Sequence, residues 1–291
     1  MITVLVANPK GGCGKTTIAT HLAAAFATAG LRSALADADR QASSLGWLQA
    51  RPASAAAIQG LDWRGEPGKP PKKVDRLIID APAAMKMKKI EALLRLADVI
   101  VVPVLPSGFD TPATADFLKE LEALKPIRKS KTAVAVVRNR VQAGSRMAAK
   151  LDRFMVGVGH TGVGRLRHRL VYPDVAGRGL SVFDLTGKQN EDLRQDWAPL
   201  LRYIENWSVC TLPKKSMFRW RGSSGWLSRR GAPCLPPRGR RRPAGRPRPG
   251  RRRAGRGCRR GRSRARRPAS RGRSSPARGS PPPAPAARAA E

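Results

Sequence analysis

Residues 8 to 17 read Asn-Pro-Lys-Gly-Gly-Cys-Gly-Lys-Thr-Thr, between an apolar run at Ile2 to Ala7 and an alanine-rich stretch at Thr16 to Ala29. A glycine-rich loop joining a strand to a helix is a cradle for phosphate. Gly11, Gly12 and Gly14 let backbone N–H groups turn inward on an anion without a Cβ in the way. The helix that follows aims the positive end of its dipole at the same point. Lys15 can reach the terminal phosphates, and Thr16 can hold Mg²⁺. Cys13 and Thr17 complete the loop. The segment predicts binding of a nucleoside triphosphate, most simply ATP with Mg²⁺.

Phosphoryl transfer also needs carboxylates for the cation and for the attacking water. Two apolar runs end in them: Asp37-Ala38-Asp39-Arg40-Gln41, and Leu77-Ile78-Ile79-Asp80-Ala81-Pro82. Asp80 reads as a Walker B carboxylate within reach of a Mg²⁺-bound water. Asp37 and Asp39 point the same way if the chain stays extended between them, and need not if it turns. Taken alone, they serve equally well as a polar strand end or a helix cap. Asn139, in Val136-Val137-Arg138-Asn139-Arg140, carries a donor and an acceptor that suit an adenine edge, or the turn after a strand.

The loop departs from the ordinary G-x-x-x-x-G-K-S/T pattern: Pro9 stands where the first glycine belongs, and a second lysine, Lys10, precedes the glycine pair. A lysine there can serve a nucleotide held by a second subunit. The form Lys10-Gly11-Gly12-x-Gly14-Lys15-Thr16 resembles the deviant Walker A loop of the ParA/MinD family of ATPases. Asp37-x-Asp39-x-Gln41 resembles that family's D-x-D-P-Q segment, with Arg40 in place of proline. Arg138-Asn139-Arg140 is similar to its N-R segment. The likeness covers residues 1 to about 207. It is of the kind seen in short ParA-like partition and positioning ATPases of bacteria, including Ser43-Ser44-Leu45-Gly46-Trp47 and Asp196-Trp197.

By that resemblance Lys10, Lys15 and Asp39 are catalytic, with Asp39 positioning the water. Thr16, Asp37 and Asp80 attend Mg²⁺, and Asn139 meets the adenine. The segment Pro103 to Asp110 would face the second subunit. Arg165, Arg167 and Arg169 lie where relatives grip DNA, although alternating arginines also describe a solvated strand face. The implied partners are a second copy when ATP is bound, non-specific DNA, and a ParB-like or other adaptor that stimulates hydrolysis. The implied tasks are plasmid partition, chromosome segregation or positioning of a protein cluster. The implied place is the cytoplasm, on the nucleoid when ATP is bound, with no stable membrane association.

These residues need a scaffold. Candidate strands are Ile2–Ala7, Ser33–Asp37, Arg76–Asp80, Asp98–Leu105 and Thr132–Arg138. Candidate helices are Thr16–Ala29, Ala42–Ala50, Met85–Leu96, Thr111–Leu124, Ser145–Met155 and Glu191–Trp207. Strands apolar along their whole length are covered on both faces. Alternation with helices then predicts an α/β fold, a doubly wound and mostly parallel sheet with its ligand at the carboxyl ends of the strands.

Charge divides the chain in two. Residues 1–207 hold 31 Lys and Arg against 19 Asp and Glu, a net of +12. Residues 208–291 hold 26 against Glu291 alone, a net of +25. This second part is rich in Arg, Pro and Gly, and its poverty in aliphatic residues predicts disorder. It reads in three ways: a basic arm for nucleic acid, a solvated tail, or a frame-shifted reading of GC-rich DNA. Met217 to Trp226 adds an aromatic-basic stretch that could touch a membrane surface, though no apolar helical face accompanies it. The first strand begins at Ile2, which predicts no cleaved leader. No apolar run nears the roughly 20 residues of a membrane span. Cys13, Cys210, Cys234 and Cys258 form no C-x-x-C pair, so neither zinc nor a dithiol centre is indicated. Cys13 is the sole cysteine before residue 208, which argues against a bridging cluster. Nothing beside His160 or His168 suggests a catalytic partner.

Overall fold

The computed structural model describes residues 1–107, 110–159 and 162–211. The expectations for residues 212–291, and those for Gly108, Phe109 and His160, lie outside the described residues. So do those for Cys234, Cys258 and Met217 to Trp226.

Seven parallel strands form a single sheet. They are β1 (Ile2–Val6), β2 (Ser33–Asp37), β3 (Ile58–Asp62), β4 (Arg76–Asp80), β5 (Val99–Val104), β6 (Ala133–Val141) and β7 (Gly164–Arg167), in the order β3-β2-β4-β1-β5-β6-β7. The connecting helices are α1 (Lys15–Thr28), α2 (Ser43–Gln49), α3 (Met87–Leu94), α4 (Asp110–Ala123), α5 (Lys125–Arg128), α6 (Arg146–Gly157), α7 (Val171–Gly177) and α8 (Glu191–Thr211).

Side chains alternate across each strand, and the two faces bury separate cores. Val4, Val6, Leu35, Ile78, Val99 and Val101 meet Ile18, Leu22 and Phe26 of α1, Trp47 of α2, and Trp197, Leu200 and Ile204 of α8. Leu5, Leu77, Ile79, Ile100 and Val102 meet Ile90 of α3, Phe117 and Leu121 of α4, and Leu151 and Met155 of α6. Burial on both faces is why the central strands carry no polar residue except at their ends. Pro103 is tolerated in β5 because β1 pairs only as far as Val101. Beyond that point the Pro103 carbonyl accepts a hydrogen bond from Asn8 Nδ2 at 2.7 Å.

The five candidate strands are all present; β3, β7, α5 and α7 were not anticipated. β3 and β7 are the two edges of the sheet. Each buries little: β3 is exposed or half-buried throughout, and β7 contributes Leu166 to the core. An edge strand without an apolar run is invisible to a reading based on hydrophobicity. One boundary moved with consequence. β6 runs on to Val141 through an irregularity between Arg138 and Val141, with Arg140 at φ 52°. Asn139 is therefore inside a strand rather than after one.

Behind the glycine loop, the ring of His21 is fully buried and stacked on Trp197, 5.0 Å between centroids. Its Nδ1 bonds the Thr17 carbonyl at 2.8 Å, while Nε2 is buried without a partner. Burial pushes its pKa down from 6.5 to about 4, against the smaller opposing effects of the Thr17 hydrogen bond and then Asp184. A folded pKa below the unfolded one means that the unfolded chain binds the proton first. The stability from neutral His21 is thus whole above pH 6.5 and is lost as pH falls from there towards about 4. Urea unfolding should show wild type losing about 2 kcal/mol more than His21→Phe between neutral pH and about pH 5. Parallel losses in the two proteins would remove this assignment.

Candidate functional site

The site lies at the carboxyl ends of β1, β4 and β2, which are neighbours in the sheet. Val6 pairs with Asp80, and Asp80 in turn pairs with Asp37. The glycine loop leaves β1 and enters α1 through Gly14, the N-cap residue, at φ 90°. That conformation favours glycine, and a second constraint acts on the same atom: a Cβ on Gly14 would collide with the side-chain amide of Asn139.

Lys15 is nearly buried, and its Nζ donates to the Lys10 carbonyl at 2.9 Å. The Cys13 thiol, buried in the loop, donates to the same carbonyl at 3.3 Å and lies 3.9 Å from Lys15 Nζ. Lys10 is exposed at the loop's mouth, with its N–H donating to Asn8 Oδ1 at 2.9 Å. The two lysines thus differ in place as the sequence suggested: one lines the cradle, the other stands at its rim.

Asp37 and Asp80 are both buried. Asp37 accepts three backbone N–H groups: Asp39 at 2.9 Å on Oδ1, and Ser44 at 2.8 Å and Leu45 at 3.1 Å on Oδ2. It is thereby the cap of α2, whose own N-cap position is Ala42 and supplies no side-chain bond. The chain turns directly after β2, so Asp39 does not share Asp37's direction. Asp39 is half-buried and accepts the Gln41 N–H at 3.1 Å. Arg40, standing in for proline, fits this turn, which the Ala42 N–H closes on the Asp39 carbonyl at 3.0 Å.

Asp80 receives one good bond, from the Ser44 hydroxyl to Oδ2 at 2.6 Å. The Thr16 hydroxyl faces the carboxylate and favours its charged form, yet Oδ1 remains buried without a hydrogen-bond partner. Burial is the largest influence and pushes the Asp80 pKa up to about 7, with Asp37 adding to it and Lys15 opposing it. A buried, half-satisfied carboxylate beside a threonine hydroxyl suits a hard cation bound through oxygen. No cluster of three or more His, Cys, Asp or Glu that could cage a metal occurs among the described residues. Mg²⁺ ordinarily arrives with substrate phosphates and retains water. Thr16 and Asp80 fit the cation. Asp37 stands next to them, with its lone pairs largely taken by α2.

Asn139 is buried, and both ends of its amide are engaged. Nδ2 donates to the Cys13 carbonyl at 2.8 Å, and Oδ1 accepts the Arg140 N–H at 2.9 Å. In this structure the amide braces the glycine loop. Arg165, Arg167 and Arg169 are also engaged. Arg165 pairs with Asp152 at 2.8 Å, Arg167 with Asp196 at 2.8 Å and Arg169 with Asp192 at 2.9 Å. Acid neutralises each of them, so this row does not make a cationic face.

Ser44 is the site residue that the sequence did not reveal. Serine is common at the start of a helix, and no spacing rule ties it to a carboxylate 36 positions later. Beyond it, α2 is anchored at its far end. Trp47 Nε1 donates to the Leu180 carbonyl at 3.1 Å, and Arg51 forms a buried pair with Asp184 at 2.6 Å. Gly179 closes on the backbone of Ala50 and Arg51, where a Cβ has no room. A cleft of about 250 Å³ opens beside Thr16, Thr17 and Thr20, walled by Ser43 and Trp47.

Comparisons with known proteins agree with this geometry. Residues 4–153 match the family described as the CobQ/CobB/MinD/ParA nucleotide binding domain. The chain is 32% identical over 193 residues to maintenance of carboxysome distribution protein A from Halothiobacillus neapolitanus, spanning 63% of this chain and 87% of that one. Among solved structures, an ATP complex of a variant of Cyanothece McdA aligns with TM-score 0.55 at 18% identity, covering 69% of this chain and 96% of that one. MinD from Aquifex aeolicus aligns with TM-score 0.53 at 16% identity, covering 69% and 97%.

Ser44→Ala should remove the bond that orients Asp80 while leaving the glycine loop intact. The Mg²⁺ concentration needed for half-maximal binding of a fluorescent ATP analogue should rise about tenfold, as for lost support of a metal ligand elsewhere. Ser44→Thr, which keeps the hydroxyl, should restore most of it. An unchanged Mg²⁺ titration in the alanine variant would count against this role.

Proposed function

Since the chain belongs to the CobQ/CobB/MinD/ParA family of nucleotide-binding proteins, we propose that it is an ATP-driven positioning protein for a large intracellular cargo. The carboxysome named by its relative is the model for that cargo, more than a plasmid or a chromosome region. It is a ParA/MinD-family ATPase, and the finer steps are as follows.

Backbone N–H groups of the glycine loop and the Lys15 ammonium hold the β- and γ-phosphates. When bound, Mg²⁺ neutralises charge on the phosphate oxygens. Thr16 and Asp80 hold it, and Asp37 keeps α2 docked beside them. Asp39 orients the attacking water. Lys10, at the mouth, reaches the phosphates of a second protomer and stabilises charge that develops in transfer, the work of an arginine finger elsewhere. Two subunits thereby enclose two nucleotides. The ATP dimer binds DNA non-specifically on the nucleoid, within the cytoplasm. An adaptor protein on the cargo stimulates hydrolysis, the dimer parts, and the cargo follows the remaining bound protein.

The observation that carries this reading is the meeting of Lys15, Thr16 and the unsatisfied Asp80 carboxylate at the end of a two-lysine loop. The excess of base over acid in residues 1–207 supports the DNA step through counterion release. No helix among the described residues is long and apolar enough to cross a membrane.

Lys15→Ala should abolish ATP binding. Lys10→Ala should bind ATP yet remain monomeric in sedimentation; a stable ATP dimer in that variant would refute the cross-subunit role. Asp39→Ala should dimerise with ATP and turn over at least about a hundredfold more slowly, the scale of a lost general base. Undiminished turnover would free Asp39 from that task. Co-sedimentation with DNA and with anionic liposomes, each with ATP, separates a nucleoid protein from a membrane-bound one.

A further inference from the structure

Because every strand runs the same way, the sheet has two unlike poles. The carboxyl pole holds the nucleotide site. The amino pole, where the chain enters β4, β1, β5 and β6, is edged with cations. Lys72 and Lys73 stand just before β4, and Lys125, Arg128, Lys129 and Lys131 lie on α5 and the turn into β6. All six are exposed, and none makes an ion pair among the described residues.

Three acids near this pole are already engaged, while Glu120 and Glu122, in the last turn of α4, lie exposed beside α5. Asp75 pairs with Arg32, Glu91 pairs with Arg95, and Asp98 accepts the Thr3 N–H at 2.8 Å. The contrast with β7 is direct, since each arginine there meets a carboxylate, Arg165 sharing Asp152 with Arg138. The backbone under the rim is fixed. Pro126 is buried, the Lys131 N–H donates to its carbonyl at 2.9 Å, and Thr132 Oγ1 donates to the Ala97 carbonyl at 2.8 Å.

We propose that this rim is a grip for the phosphate backbone of duplex DNA, set at the pole opposite the nucleotide. The proposal rests on the DNA-binding reading above and adds where the contact is made. β4 and β6 are separated by β1 and β5, so the two lysine groups lie about 14 Å apart, three strand spacings. That is close to the ~12 Å width of the major groove, and the groups can touch phosphates on either side of it. Five of the six cations are lysines, point charges that fit phosphate without selecting a sequence. A protein partner would want an apolar anchor. Among the described residues the exposed large apolar side chains are Met1, Val156 and Leu170; Met1 and Val156, at the C-terminal end of α6, are at this pole but stand singly and form no apolar patch beside the six cations. A dimer closed across the carboxyl poles leaves both rims facing outward, one to each DNA segment.

The rival surface is α6, where Arg146, Lys150 and Arg153 form an exposed stripe. The test uses the full chain with ATP and measures anisotropy of a random-sequence duplex across a salt series. One variant combines Lys125→Gln, Arg128→Gln, Lys129→Gln and Lys131→Gln; the other combines Arg146→Gln, Lys150→Gln and Arg153→Gln. Residues 208–291 are common to all three proteins, so differences report the described surfaces. The rim variant should bind at least about tenfold more weakly, and its slope of log affinity against log salt should be shallower by about 2 to 4. The α6 variant should stay near wild type. Fluorescent ATP binding, unchanged in both, shows that they fold. An unaltered salt slope in the rim variant overturns the proposal. If wild type itself gains no DNA affinity from ATP, the DNA-binding reading fails, and the rim with it.

Discussion

Two carboxylates, Asp37 and Asp80, are buried side by side at the ends of paired strands. Burying like charges at such a distance is costly unless each finds compensation. The two find it differently. Asp37 is paid in full by three N–H groups, which fixes the turn after β2 and the start of α2. Asp80 gets only the Ser44 hydroxyl and keeps an unsatisfied oxygen. Helix position, loop geometry and cation site all follow from this unequal division.

The same division ties the site to the rest of the molecule. α2 begins on Asp37 and Asp80 and ends on Leu180 and Asp184. α1 begins at the glycine loop and, nearly two turns later, stacks His21 against Trp197 of α8. The structure around residues 179–197 is therefore joined to the nucleotide site through two helices. Both links are buried and specific: an Arg51–Asp184 pair in one case, an aromatic stack with an unpartnered ring nitrogen in the other. Neither contributes a group to the phosphates, yet displacement of either moves a helix that does.

Charge follows the topology as well. Residues 1–207 have a net charge of +12, but the excess is not spread evenly. Around β7 and α8 the arginines meet aspartates, and the surface is close to balanced. At the amino pole Arg32 and Arg95 are paired, but the lysines before β4 and β6 make no ion pair among the described residues, nor do Arg146, Lys150 and Arg153 on α6. A parallel sheet separates the glycine loop at one end from a basic edge at the other.

The order of strand, glycine loop and helix could be read from the residues, because each depends on local spacing: three glycines, a lysine and a threonine in six positions. Asp80 was legible for the same reason, at the end of a run apolar on both faces. Asp37 was legible as a carboxylate, but not its work as a helix cap, since its partners lie seven and eight residues away across a turn. Asn139 was found by motif, while its present task of bracing Cys13 comes from a strand 126 residues distant. Ser44 fell within a segment of family likeness but without a role, and His21, the edge strands and the basic pole left no signal. Their meaning comes from what stands opposite them, and the sheet decides that. The sequence alone determined which chemistry the chain carries and that its core is a covered parallel sheet, since both reside in short-range pattern. Which carboxylate is left unsatisfied, which arginines are neutralised and which pole is charged were decided only by folding, because each depends on contacts between residues far apart in the chain.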